Sequence, residues 1–183
     1  MTDAGDDLEE HARAIEWLIC DVDGVLTDGR LFYVSGPAAQ AAPAEAKTFN
    51  VRDGLGLRLA KRAGLKVALL SGRASSAVQH RASELGLDAV MLGRGDKRAA
   101  LESFLETHGT TADRIATIGD DLPDLPLFGA CRLAYAPANA APEVQEASDV
   151  VLETPGGQGC VREMVEHLLK LRGEWQALVD ELR

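Results

Sequence analysis

The sequence predicts an α/β fold: a mostly parallel β-sheet with helices on both faces. Three observations predict it. Six short apolar runs of strand length are spread along the chain, segments with helical spacing lie between them, and three of the runs end in chemically active groups, at Asp21, Ser71 and Asp120. Short apolar runs bounded by polar residues and glycine suit strands buried on both faces. Strands alternating with helices suit parallel pairing and right-handed crossovers. In such a sheet, ligands bind at the carboxyl ends of the strands.

The elements follow in order. Residues 1–14 are polar and acidic, a frayed or helical lead-in. Residues 16–20 form the first strand, ending at Asp21. The next segment breaks the alternation: residues 30–34 and 46–51 flank a stretch rich in Gly, Pro and Ala, and read as a β-hairpin over 30–51 with a long tip at 35–45. Leu55, Leu57, Leu59, Ala60 and Ala63 mark a helix before the second strand, 66–70, which ends at Ser71. Ala77, Val78, Ala82 and Leu85 mark a helix closed by Gly86, and residues 89–92 the third strand. Ala99, Leu101, Leu105 and His108 mark a helix closed by Gly109. Residues 114–118 form the fourth strand, with Pro123 placed where a first helical turn would begin. Residues 132–135 and 149–152 are the fifth and sixth strands, and 161–182 reads as one closing helix in a tail spanning 154–183. No repeat or composition break divides the chain, so residues 1–183 read as one domain.

Composition narrows the function. With 183 residues, 46% hydrophobic and 26% charged, the chain has the make-up of a soluble globular domain. A net charge of −10 and the lack of a long basic run exclude nucleic acid and anionic membranes as partners. Cys20, Cys131 and Cys160 have no CxxC spacing and read as buried reduced thiols. His11, His80, His108 and His167 lack ligand spacing and read as surface or interfacial residues. No apolar stretch approaches the ~20 residues that span a bilayer. The first ten residues lack the basic region and apolar core of a signal peptide, which predicts a cytoplasmic protein.

Four groups carry candidate chemistry. Asp21 and Asp23, two residues apart just past a strand, can converge on one point, with Gly24 freeing the turn; a DxD is also a common plain turn. Two neighbouring carboxylates can act as nucleophile and proton donor toward a phosphate monoester if their environments keep them in different protonation states. Asp120, Asp121 and Asp124 offer oxygen ligands to a hard cation such as magnesium, or an N-cap ahead of Pro123. Ser71, Gly72 and Arg73 end a strand and open a helix, which suits either an anion site or a cap. Lys97 precedes a helix, where it can neutralise a phosphoryl group or simply be solvated. All of these fall on the proposed ligand side of the sheet.

In order along the chain, Asp21-x-Asp23, Ser71, Lys97 and Gly119-Asp120-Asp121 resemble the four motifs of the haloacid dehalogenase-like phosphatases. Further strings, among them Phe49-Asn-Val-Arg-Asp-Gly54 and Gly156-Gly-Gln-Gly-Cys-Val-Arg-Glu163, resemble the branch that acts on the 8-phosphate of an eight-carbon 2-keto sugar acid, a lipopolysaccharide precursor. The resemblance runs from about residue 16 to 171. It implies a Rossmann-like core with a small hairpin in place of a cap domain. It also implies a homotetramer whose hairpins form a central barrel, with a neighbour's hairpin and tail helping to close each site. Residue by residue, it implies that Asp21 attacks phosphorus, and that Asp23 protonates the leaving oxygen and then activates water. Ser71 and Lys97 would hold the phosphoryl group. Magnesium (Mg2+) would be held by the Asp21 carboxylate, the Asp23 carbonyl and Asp120, with Asp121 and Asp124 orienting nearby water. Arg73, and less directly Arg52, would meet the sugar's carboxylate. Gln158 and Cys160 stand where the branch has a basic residue and alanine, facing the sugar.

Two other readings use similar parts. One is a phosphatase for a nine-carbon 2-keto sugar acid 9-phosphate of the sialic-acid type. The other is a phosphoacceptor signalling module, but there the phosphorylated aspartate ends the third strand, and the third run here ends at Leu92-Gly93 without an acid.

Overall fold

The computed structural model describes residues 4–34 and 44–183. Helix α1 (Ala4–Ala14) leads into β1 (Trp17–Cys20), followed by two short strands, β2 (Phe32–Val34) and β3 (Ala44–Ala46). Next come α2 (Val51–Arg62), β4 (Lys66–Leu70), α3 (Ser76–Leu85), β5 (Ala89–Met91), α4 (Lys97–His108) and β6 (Ile115–Ile118). A 3-10 turn (Leu122–Asp124) precedes α5 (Leu125–Phe128), β7 (Leu133–Ala136), α6 (Pro142–Ala147), β8 (Val150–Val151), α7 (Cys160–Leu171) and α8 (Trp175–Asp180).

Six strands pair in the order β5-β4-β1-β6-β7-β8, every pair parallel. This is the helix-covered parallel sheet that the apolar runs predict. Strand β1 lies between β4 and β6, with Cys20 opposite Leu69 on one side and Ile118 on the other. Its side chains divide by period two. Leu18 and Cys20 join a core with Leu57, Met164 and Leu168, while Trp17 and Ile19 join a second core with Leu101, Phe104 and Leu127. Each fully buried Leu or Ile here stabilises the fold by roughly 1.5–3 kcal/mol. Both faces of β1 are therefore anchored, and Asp21 leaves a strand that cannot shift. Its N–H donates to the Ile118 carbonyl at 3.0 Å, extending the ladder one residue into the site.

Several boundaries differ from those the sequence predicts. The hairpin pairs Phe32 with Ala46 and Val34 with Ala44, so its second arm ends where 46–51 was expected to begin. Asn50 ends any extension of that arm: its Oδ1 accepts the Arg52 N–H at 2.9 Å and starts α2 there, four residues before the predicted Leu55. Most of the predicted tip, 35–43, lies outside the described residues. The closing helix is two helices, because the chain turns at Gly173 (φ 73°). Helix α6 was not expected. It is six residues long and starts at Pro142, with only Val144 buried, too little periodicity to read from sequence.

The tail is fastened to the site loop by close backbone contact. A Cβ on Gly156 would lie 1.7 Å from the Gly24 carbonyl oxygen. Asp53, buried in the first turn of α2, accepts the Arg162 N–H at 2.8 Å at the start of α7. The three cysteines are free, with Cys20 and Cys160 buried as expected and Cys131 half-buried. His167 is half-buried and pairs with the Tyr135 hydroxyl at 3.1 Å, a core contact rather than a surface one.

Candidate active site

The carboxyl ends of β1, β4 and β6 open into a cavity of about 350 Å³ lined by Asp21, Asp23, Ser71, Gly72, Arg73, Gly95, Lys97, Asp120, Asp121, Pro123 and Asp124. A larger cavity, about 460 Å³, lies along β5 and α4 and holds none of the four motif groups.

Asp21 stands at the end of β1 and is 6% exposed. The Lys97 ammonium, carried on the first residue of α4, lies 2.5 Å from Asp21 Oδ1 and 2.5 Å from Asp124 Oδ1. Ligand atoms of Asp21, Asp120 and Asp124 all lie within 4.8 Å of one another. Burial pushes the Asp21 carboxyl up to about 7, with the Asp124 charge adding to it and Lys97 opposing it. Burial also raises Asp120 to about 7, reinforced by the charges of Asp21, Asp124 and Asp121. Burial alone would lower the Lys97 ammonium, but the carboxylates of Asp21 and Asp124 outweigh it and raise it.

This crowding is a test for a metal. Three carboxylates converge with one ammonium among them, an excess of negative charge and of hard oxygen donors that suits a small divalent cation such as magnesium. The two carboxyls raised to about 7 would ionise fully beside such an ion.

The fourth motif divides into capping carboxylates and one left uncapped. Asp121 accepts the Leu122 N–H at 2.8 Å and forms a capping box with Asp124 on the 3-10 turn. Asp124 Oδ2 accepts the N–H groups of Asp120 and Asp121 at 3.1 and 3.3 Å, and its Oδ1 meets Lys97, so both of its oxygens are committed. Among the described residues, Asp120 alone of the three has a carboxylate that accepts no hydrogen bond, and it lies within 4.8 Å of Asp21. The loop leaves no room for larger residues: a Cβ on Gly119 would lie 2.3 Å from Asp124 Cγ.

Asp23 sits two residues past Asp21, and Ser71 Oγ donates to its Oδ2 at 3.3 Å. Ser71 Oγ in turn accepts the Arg73 N–H at 3.1 Å, a local turn in the loop after β4; contrary to expectation this loop does not open the helix and Ser71 does not cap it, because α3 begins only at Ser76 with Ser75 at its N-cap. Arg73 lines the cavity, its guanidinium 2.6 Å from Glu45 and 3.3 Å from the Tyr33 hydroxyl. Arg52 is exposed on the first turn of α2 and is not among the lining residues. Cys160 faces inward, its thiol donating to the Val25 carbonyl at 3.3 Å, not toward a ligand as expected. Lys47 and Glu45 were not foreseen. The Lys47 side chain is 1% exposed, and its ammonium pairs with Asp23 Oδ1 and lies 3.4 Å from Glu45. A lysine 24 residues from its partner gives no local spacing to read.

Fold and site together define a hydrolase of the haloacid dehalogenase-like class, and the family model described as haloacid dehalogenase-like hydrolase matches residues 89–164. The 3-deoxy-D-manno-octulosonate 8-phosphate phosphatase of Haemophilus influenzae is 41% identical over 167 residues, 91% of this chain and 89% of that protein. Its counterpart in Escherichia coli K12 is 37% identical over 168 residues, 92% of this chain and 86% of that one. A crystal structure of the Moraxella catarrhalis phosphatase of the same name, in complex with magnesium, phosphate and KDO, superposes with a TM-score of 0.89 at 33% identity, covering 97% of this chain and 99% of that one. The chain belongs to the family of 3-deoxy-D-manno-octulosonate 8-phosphate phosphatases.

Proposed function

We propose that this protein is a magnesium-dependent phosphatase that hydrolyses 3-deoxy-D-manno-octulosonate 8-phosphate to KDO and phosphate, a step toward outer-membrane lipopolysaccharide. The observation that carries the reading is the convergence of Asp21, Asp23, Ser71, Lys97 and Asp120 on one cavity in a chain of this family.

Asp21 is the nucleophile. Its carboxylate oxygen bonds to phosphorus as the bond from phosphorus to the sugar oxygen breaks, giving an aspartyl-phosphate. Asp23 gives its proton to the departing sugar oxygen. It then takes a proton from water as the water oxygen attacks phosphorus, and the aspartyl bond breaks. Lys97 and the Ser71 hydroxyl hold the phosphoryl oxygens. Magnesium, held by Asp21, the Asp23 carbonyl and Asp120, supplies charge to the phosphoryl oxygens. Asp124 holds Lys97 and the Asp120 loop in place, and Asp121 caps the turn that carries both. Arg73 faces the sugar acid's carboxylate; Arg52, exposed on α2 and outside the cavity lining, is the weaker candidate for that contact.

The protein acts as a cytoplasmic homotetramer, one phosphatase domain per chain. No helix among the described residues is long and apolar enough to cross a membrane. Phe32, Tyr33 and Val34 are 64%, 52% and 48% exposed on a two-stranded sheet that has little stability alone, and Leu31 just before it is 46% exposed, which favours pairing between hairpins.

The test is phosphate release from the 8-phosphate with magnesium, for wild type and Asp21→Asn. Turnover by the wild type alone supports both reaction and nucleophile. No turnover by either, with cleavage of a nine-carbon 9-phosphate instead, would move the substrate to the sialic-acid type.

A further inference from the structure

The Lys47 ammonium is nearly sealed from water, does not line the cavity, and yet ends on Asp23 Oδ1. A buried ammonium is costly unless paired, and this one is paired twice, with Asp23 and with Glu45. The chain of charges continues outward: Glu45 Oε2 lies 2.6 Å from Arg73, and Arg73 lies 3.3 Å from the Tyr33 hydroxyl. Glu45 and Lys47 both belong to the foot of the hairpin, Glu45 within β3 and Lys47 just after it. On the other side of Asp23, among the described residues, Oδ2 meets only the longer Ser71 contact of 3.3 Å. The two oxygens therefore differ: one is tied to a buried cation away from the cavity, the other is left with a weak hydroxyl contact on a residue that lines it.

We infer that Lys47 is a positioning residue for Asp23: it grips Oδ1 from behind and so presents Oδ2 to the oxygen of the leaving group. The inference rests on the reading of Asp23 as the acid–base group. Its consequence depends on the leaving group. A sugar alkoxide leaves poorly and needs the proton of a correctly aimed carboxyl. A p-nitrophenolate leaves well without one.

The experiment compares kcat/KM, which reports phosphoryl transfer to Asp21, for the 8-phosphate and for p-nitrophenyl phosphate, with magnesium. If the wild type prefers another alkyl phosphate, that ester takes the place of the 8-phosphate, so an error about the sugar does not touch this test. For Lys47→Met, kcat/KM for the alkyl ester should fall by about a hundredfold, the lower end of what general acid catalysis provides, and at least tenfold more than for the aryl ester. Lys47→Arg should recover part of the alkyl-ester rate. The aryl-ester rate on the same preparation shows whether the site is folded. Should Lys47→Met not fold, Lys47→Gln carries the same comparison. Equal losses on both esters, or no loss on either, would overturn the inference and leave Lys47 as a strut of the hairpin. Asp23→Asn is the control. If it fails to discriminate the esters in wild-type background, the acid–base reading itself falls, and this inference with it.

Discussion

Lys97 shares one ammonium between Asp21 and Asp124, at 2.5 Å from each, and this pair of contacts couples the carboxylate at the end of β1 to the turn after β6. Removing the lysine leaves buried carboxylates without their cation. Lys97→Met should destabilise the metal-free protein by about 3 kcal/mol, the usual cost of breaking a buried pair from one side. Phosphate release should fall at least a hundredfold, as when a single donor to the transition-state charge is lost. Denaturation in the presence of a chelator reads the first, and the phosphate assay the second. Magnesium should return part of the stability and little of the rate. Full return of the rate would reduce Lys97 to a counter-ion.

The metal prediction follows from the carboxylate cluster. Chelation should abolish turnover, and magnesium should restore it. At a hundredfold excess over its dissociation constant, magnesium should add about 2.7 kcal/mol to wild-type stability. Asp120→Asn should raise the magnesium needed for half-maximal rate by more than about tenfold. An unchanged magnesium titration in that variant would remove Asp120 from the ligand set.

Gly24 connects backbone conformation to that same carboxylate. Its φ is 96°, and a Cβ there would lie 2.0 Å from Asp120 Oδ2. Gly24→Ala should therefore cost about 1–3 kcal/mol from backbone strain and weaken magnesium, since the carboxylate must move aside. Isothermal titration with magnesium separates the two effects. A variant that is less stable but binds the ion normally would mean that Asp120 relocates without consequence.

Glu163 fastens the tail by accepting the Glu153 and Thr154 N–H groups, each at 2.9 Å. Burial alone would raise its carboxyl, but the hydrogen bonds from Thr154 and Glu153 outweigh it and hold the group below its usual value of 4.5. An acid depressed on folding contributes stability above its unfolded value and loses it as the pH falls through the folded one. Glu163→Gln should melt ~2–4 °C below wild type at neutral pH, for a loss of about 1 kcal/mol. The gap should narrow as the pH is lowered past 4.5. A gap that stays constant with pH would mean the contact works through shape rather than charge.

The sheet was legible because its central strands are buried on both faces, which leaves an unbroken apolar run such as Trp17–Cys20. The motif aspartates were legible because each stands at the end of such a run. The start of α2 was hidden by Gly54 and Gly56, which lower helix propensity. Their reason is tertiary: a Cβ on Gly56 would lie 2.9 Å from Arg162 Cα of α7. The division of labour among Asp120, Asp121 and Asp124 depends on which carboxylate finds backbone N–H groups, and three acids within five residues look alike until the turn is seen. Lys47 was illegible for a similar reason: its partner is fixed by how the hairpin folds back, not by spacing.

Strand β1 is made early and belongs in the middle. Its two neighbours, β4 and β6, are encoded far downstream, β6 not until Ile115. At translation rates of ~5–20 residues per second, the strand that ends at Asp21 waits several seconds for its second edge. Through that interval an apolar ribbon with unpaired hydrogen-bonding groups is open to any passing strand. The placement that later holds Asp21 so firmly thus makes the nascent chain depend on shielding, and slow codons between β1 and β6 should lower the yield of soluble protein.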